Sequence, residues 1–262
     1  MSHTSPSLDQ APLISTRFAW KVAAIVALLF ALTAAISVVG RMFGQSIVLA
    51  GHSTDPTDYE IVIGNDVLML PANMIRFENQ RVSGIHRSVD IYLTWPGMNG
   101  YSEATRDLFN RTDSVNGLIF ASIAQGTMSR DMSGRFEPIY RRLIEGTPVA
   151  GPEGLLSYRM KPGIGYTNEL LYVAERSGEN PYVVRCLVEA ADAAHDFATR
   201  TGCQRDVAFG EDLIVTYRFS IDLLAQWKAL DEDLMARLKS ALVDPAAVPE
   251  PRQSMSRSIG FE

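Results

Sequence analysis

The sequence predicts an α+β chain: one transmembrane helix near the N-terminus, then a mostly antiparallel, β-rich extracytoplasmic domain with inserted helices and a C-terminal helical segment. Three observations carry that expectation. Residues 22–40, VAAIVALLFALTAAISVVG, hold nineteen positions without one charge. Between 59 and 220, short runs of alternating polarity recur between Gly, Pro and Asn turn signals. From 221 to 243 the apolar period changes to that of a helix.

A helix of that first stretch extends about 28 Å, close to the hydrocarbon thickness of a bilayer. Its only polar residues, Thr33 and Ser37, can bond back to the helix backbone, and no face is polar as a soluble core helix would require. Trp20 and Lys21 suit the headgroup layer at one end, and Arg41 closes the other. Ala35-Ile36-Ser37 resembles a leader cleavage site, but the run is longer than a secretory core, so a retained anchor is expected. Arg17 and Lys21 before the span, against Arg41 after it, place the N-terminus in the cytosol. The layout that follows is a cytoplasmic tail over 1–21, a span over 22–40, a spacer over 41–58, the α+β domain over 59–243 and a disordered tail over 244–262. A bacterial inner membrane with a periplasmic domain fits this layout. Ala23, Ala27, Ala31 and Ala35 recur every fourth residue and share one helix face. Small residues let helices approach closely in lipid, so this face is the candidate for self-association or for contact with another membrane protein.

Charge excludes one class of partner. The chain has 24 basic and 30 acidic residues; without its first 44 residues it keeps 21 and 29. An exported part with eight surplus negative charges is wrong for nucleic acid.

The strand expectations run in order. YEIVIG (59–64) and DVLML (66–70) flank the Gly64-Asn65 turn. SVDIYLTWP puts Val89, Ile91, Leu93 and Trp95 inward and Asp90, Tyr92 and Thr94 outward. Ser102 caps a short helix over 102–109, and 117–125 returns to strand. GRFEPIYRRLIEG (134–146) predicts an amphipathic helix closed by Gly146, with a loop over 147–154. Strands then cover 155–161, 168–175 and 182–189, and a hairpin joins CQRDVAF to DLIVTYRFS through Gly210-Glu211. In the terminal helical stretch, Asp231, Glu232 and Asp233 favour a fresh helix start.

The only two cysteines, Cys186 and Cys203, fall on neighbouring strands, each on an apolar face. On the second strand, Arg205 interrupts the face shared by Cys203, Val207 and Phe209. In an oxidising compartment the pair should form a disulfide, which the loop-entropy model values at about 3 kcal/mol. No cysteine remains for a zinc site, so no metal is expected.

Chemistry-bearing motifs are few. No nucleophile elbow, phosphate-cradling glycine loop, metalloprotease helix or calcium loop occurs, and no cofactor is expected. His3 and His52 fall in the N-terminal segment and the spacer, where nothing is expected to hold them in a rigid site. His86 has Asp90 four residues on, and His195 abuts Asp196, but a surface histidine beside an acid is the ordinary explanation. Arg76, Arg81, His86 and Arg87 lie within twelve residues of an acidic domain and form a candidate anion-binding cluster. The leading expectation is a membrane-anchored, non-catalytic module that binds or scaffolds an envelope partner. An exported enzyme acting on an envelope component is the second, and a periplasmic solute-binding protein released by leader cleavage the third.

Overall fold

The structure, a computed structural model, describes residues 16–49, 51–111, 116–166, 168–187 and 202–243. The chain divides into two compact units, Met1–Ala50 and Gly51–Glu262. The expected tail over 244–262, and all but Gly202 of the connection expected through 190–202, with its His195–Asp196 pair, lie outside the described residues.

In the first unit, α1 (Thr16–Leu49) is a single helix, starting before and ending after the nineteen-residue run. Its stretch Arg17–Val38 is long and apolar enough to cross a membrane, with a mean hydropathy of 2.3. Every side chain from Arg17 to Val38 is exposed, including the four alanines of the stripe. Thr33 satisfies its hydroxyl by donating to the Leu29 carbonyl at 2.9 Å.

The second unit is built on two sheets. In the smaller, β1 (Asp58–Ile63) pairs antiparallel with β2 (Asp66–Pro71) and parallel with β3 (Gly84–Ile85). Only glycine fits the turn between β1 and β2: φ is +59° at Gly64, and a Cβ would lie 2.7 Å from the Asp212 carboxylate. The larger sheet has eight antiparallel strands. They are β4 (Ser88–Thr94), β5 (Leu118–Gln125), β6 (Ile144–Ala150), β7 (Leu156–Met160), β8 (Glu169–Ala174), β9 (Tyr182–Leu187), β10 (Cys203–Phe209) and β11 (Leu213–Phe219). Their spatial order is β4-β5-β11-β10-β9-β8-β7-β6, so the C-terminal hairpin is inserted beside β5.

The sheet buries both faces unequally. On one face Val89, Ile91, Ile119, Ile123, Val215 and Phe219 join a large core with Ile61 and Leu68 of the small sheet. The C-terminal segment covers this face: a 3-10 turn (Ile221–Gln226) capped by Ser220, then α4 (Trp227–Ala241; the helices α2 and α3 are described below). Leu230, Leu234 and Leu238, one per turn, are fully buried. Each such leucine contributes about 1.5–3 kcal/mol through burial. On the other face, Leu171, Val173 and Val183 meet Met132, Phe136 and Tyr140 in a smaller core.

Ser102 caps a 3-10 turn (Glu103–Thr105) that runs into α2 (Arg106–Asn110), as expected. The helix expected over 134–146 is cut short. A π turn (Phe136–Tyr140) leads into α3 (Arg141–Leu143), and from Ile144 the chain is extended. Pro138 has no N–H to give, and the Tyr140 amide reaches back five residues to the Arg135 carbonyl at 3.1 Å. The loop expected over 147–154 is partly β6. That edge strand is mostly exposed and is bulged between Glu145 and Val149, so it has no apolar alternation to announce it. Tyr92 and Thr94, expected outward, are buried. Tyr92 packs under residues that precede the sheet, described next.

Candidate functional site

His52, for which no rigid place is expected from sequence, is held in an aromatic cluster. Its ring stacks on Tyr101 at 4.7 Å and meets Tyr92 and Phe109 edge-on at 5.3 and 5.6 Å. Its Nδ1 lies 3.1 Å from the Tyr92 hydroxyl. Burial, Arg81 and Arg76 all push the His52 pKa down, against a hydrogen bond to Asn110 that raises it. The neutral ring is therefore favoured. No local sequence signal could have shown this, because the partners come from three separate segments.

The four residues of the candidate anion cluster make different contacts, and Arg76 and Arg81 lie together near His52. Arg81 donates to the carbonyls of Ile75, Gly51 and Arg76, at 3.1, 2.7 and 3.2 Å. The Arg76 guanidinium lies over the Phe77 and Phe120 rings at 5.0 and 5.2 Å. His86 Nε2 is 2.7 Å from the Val82 carbonyl, and Arg87 is exposed. Asp90 accepts from Gln80 at 2.9 Å rather than orienting His86.

Cys186 and Cys203 are joined, with 4.0 Å between their Cα atoms. They stand directly opposite each other on β9 and β10. Below the disulfide the two strands part. Among the described residues β10 makes seven register pairs with β11 but two with β9, Cys203↔Cys186 and Gln204↔Arg185, with the Leu187 amide donating to the Gly202 carbonyl beyond them at 2.7 Å. The segment after β5 fills the opening. The Met132 amide donates to the Asp206 carbonyl at 3.4 Å, and the Ala208 amide to Asp131 at 3.3 Å.

Arg205 sits in this open seam. It faces the large core, and its side chain is only 2% exposed. Its Nε donates to Asp231 of α4 at 3.1 Å, and its Nη1 to the Ser133 hydroxyl and the Val183 carbonyl, both at 2.9 Å. The guanidinium also covers the Tyr182 ring at 4.5 Å. Asp231 further accepts from the Tyr217 hydroxyl at 2.6 Å and from Arg176. Arg176 packs over the rings of Tyr182 and Trp227. On the opposite face of β10, Asp206 pairs with Arg135.

Electrostatics follow from this burial. Burial pushes the Asp231 carboxyl up, but Arg205, the Tyr217 hydroxyl and Arg176 outweigh it and hold the pKa below the ordinary carboxylate range. Asp206 moves the other way, because burial and the neighbouring Asp131 outweigh Arg135 and Arg205. Burial raises both Tyr182 and Tyr217, so neither phenol is poised as a base near neutrality.

The seam opens into a groove of about 1060 Å³, lined in part by Arg130, Asp131, Arg176, Arg205, Asp231 and Lys239. Among the described residues no histidine or cysteine lines it. Ser133 takes a hydrogen bond from Arg205, a contact that does not activate a hydroxyl as a nucleophile. Among the described residues no group of three metal-ligating side chains gathers. The charged side chains of the groove are mixed in sign: Asp66, Asp131, Glu211, Asp212 and Asp231 stand against Arg130, Arg176, Arg205 and Lys239. The signal for the groove was present in sequence as the arginine that breaks the apolar face of β10. Its partner was missed because Asp231 marked an expected helix start, whereas α4 begins at Trp227 and buries Asp231 in its second turn.

No protein-family model matches the sequence, and no curated protein does. Among solved structures, the chain is similar to an immunity protein of the Stenotrophomonas maltophilia type IV secretion system. The TM-score is 0.49 at 16% identity, covering 74% of this chain and 96% of the other. It is also similar to the iron-regulated outer membrane lipoprotein FrpD of Neisseria meningitidis, with a TM-score of 0.44 at 13% identity over 73% and 97% of the two chains. At that distance neither neighbour carries a functional assignment.

Proposed function

We propose that the protein is a single-pass membrane protein whose α+β domain lies outside the cytosol and binds or scaffolds a partner of the cell envelope. The observation that carries this is the Arg17–Val38 stretch of α1. It has a mean hydropathy of 2.3, none of it is buried, and a domain closed by a disulfide follows it. Exposing that much apolar side chain to water is unfavourable by tens of kcal/mol at about 25 cal/mol per Å², whereas lipid removes the cost. The disulfide supports the oxidising side, because cytosolic thiols are kept reduced. The membrane in this proposal is a bacterial inner membrane, with the domain in the periplasm. Ala23, Ala27, Ala31 and Ala35 then form the lateral contact face.

Carbonate extraction and a topology reporter test the placement. The intact chain should stay with the membrane pellet, and a C-terminal fusion active only in the periplasm should report. The intact mass should retain residues 1–40. A mature N-terminus near Ser37 would replace the anchor with a cleaved leader. Release of the uncut chain by carbonate would overturn the proposal.

A further inference from the structure

We infer that the outward face of the small sheet is a membrane-docking surface, its apolar row Ile85–Val62–Val67 and the neighbouring Val82 resting in the interface of the bilayer that α1 spans. The inference builds on the anchor reading above. Register assembles the row: Val62 of β1 stands opposite Val67 of β2 and beside Ile85 of β3. Alternation along β1 and β2 sends Ile61, Ile63 and Leu68 into the core, so Val62 and Val67 point away from it. Val62 and Val67 are half-buried, and Val82 is exposed. Ile85 is 89% exposed, more than any other large apolar side chain among the described residues, the span included. A rigid frame presents it. The His86 amide donates to the Val62 carbonyl at 2.8 Å, the Glu60 amide to the Ser83 hydroxyl at 3.1 Å, and His86 Nε2 lies 2.7 Å from the Val82 carbonyl. Apolar side chains held in that way gain by leaving water.

The place where the chain enters the domain identifies the occupant. Arg81, next to Val82, donates from Nη2 to the Gly51 carbonyl at 2.7 Å. Gly51 is the first residue of the domain, and only Ala50 separates it from the end of α1 at Leu49. Past Val38, α1 continues for about 16 Å. The turn that carries Val82 and Ile85 is therefore fastened to the residue through which the anchor holds the domain. A tether this short keeps a bilayer at high effective concentration, whereas a soluble partner would have to find the row by diffusion. Charge supplies no attraction to anionic lipid, because residues 58–63 and 76–90 together carry three arginines against four carboxylates. The docking is apolar, like that of an interfacial segment.

Fluorescence quenching tests this on the full chain reconstituted in phosphatidylcholine vesicles with brominated acyl chains. A dye is placed on one introduced cysteine at a time; Cys186 and Cys203 are joined and take no label. The dye on Ile85→Cys should be quenched about half as strongly as one on Phe30→Cys in the span, since an interfacial side chain lies about 5–10 Å deep. The dye on Glu145→Cys, on the far edge strand β6, should not be quenched. High salt, or phosphatidylglycerol added to the vesicles, should leave the Ile85 signal unchanged. Quenching at Phe30 without quenching at Ile85 would overturn the inference and leave the anchor standing, whereas failure at both positions would overturn the anchor as well. Equal quenching at Ile85 and Glu145, or loss of the Ile85 signal in high salt, would also overturn the inference. A crosslink between two Ile85→Cys chains in place of quenching would give the row to a second copy instead of lipid.

Discussion

β9 has two very different neighbours. Toward β8 it is paired over six register positions, Glu169↔Leu187 through Ala174↔Tyr182, with Arg185 bridging to Glu169 at 3.1 Å. Toward β10 it has two pairs, one of them a covalent link. The first seam is held by repetition, since many weak backbone bonds share the load and no single residue decides it. The second is held by a few strong, specific contacts: a disulfide at one end and the Arg205–Asp231–Arg176 network below it. Single changes should be tolerated at the β8–β9 seam and felt at the β9–β10 seam.

The largest expected effect comes from the network. Arg205→Ala leaves Asp231 5% exposed with Arg176 and Tyr217 as its remaining partners, and strips the donors from Ser133 and Val183. Loss of one partner from a buried ion pair costs about 3–5 kcal/mol. Urea unfolding checks this, and Arg185→Ala on the paired seam should cost clearly less. Replacing both cysteines by serine comes next. Freeing a loop of roughly this length costs about 3 kcal/mol on the entropy model, read as a lower unfolding midpoint under non-reducing conditions. A loss as large from reduction of Cys186–Cys203 as from Arg205→Ala would make the two fastenings equal partners.

Acid should separate the two faces of β10. The lowered Asp231 pKa gives stability that is complete above the unfolded value of about 3.9 and is lost as pH falls through the folded value below it. The raised Asp206 pKa acts with the opposite sign, because its protonated form is the one the fold prefers. Asp231→Asn should therefore flatten the steepest part of the acid limb in a series of urea midpoints, and Asp206→Asn should not. The smallest effect belongs to His52. Its lowered pKa contributes stability present above about 6.5 and lost as pH falls through that value toward the folded one. Limited proteolysis near residues 51–57 should then accelerate between pH 7.5 and 5.5, and His52→Phe should remove the change. Ala27→Leu with Ala31→Leu asks a separate question, whether the stripe mediates self-association: crosslinked oligomers in membranes should fall without a change in unfolding.

What the sequence revealed and what it hid divide along similar lines. Strands with one buried face were legible, because LIVTYRF alternates as a half-buried pleat requires, and SVDIYLT was legible from the same alternation although Tyr92 and Thr94 are buried as well. The C-terminal helix was legible from leucines one turn apart. β6 was hidden because an edge strand exposed on both sides has no alternation, and β3 because two residues are too few for a period. The disulfide was predictable, since two cysteines on adjacent strands allow one pairing. The groove was half visible: an arginine on an apolar face signals a buried partner, but which acid answers it depends on how α4 crosses the sheet. His52 was invisible, because Tyr92, Tyr101 and Phe109 reach it only through folding.

The cross-strand link at the head of the open seam has a practical side. Protein made in a reducing cytosol and protein passed through an oxidising compartment would be distinct materials, one with its cleft hinged only by charge and the other clasped. Comparing their amide exchange rates along β9 and β10 would amount to measuring how far that cleft can yawn, and preparations of mixed redox history would blur it.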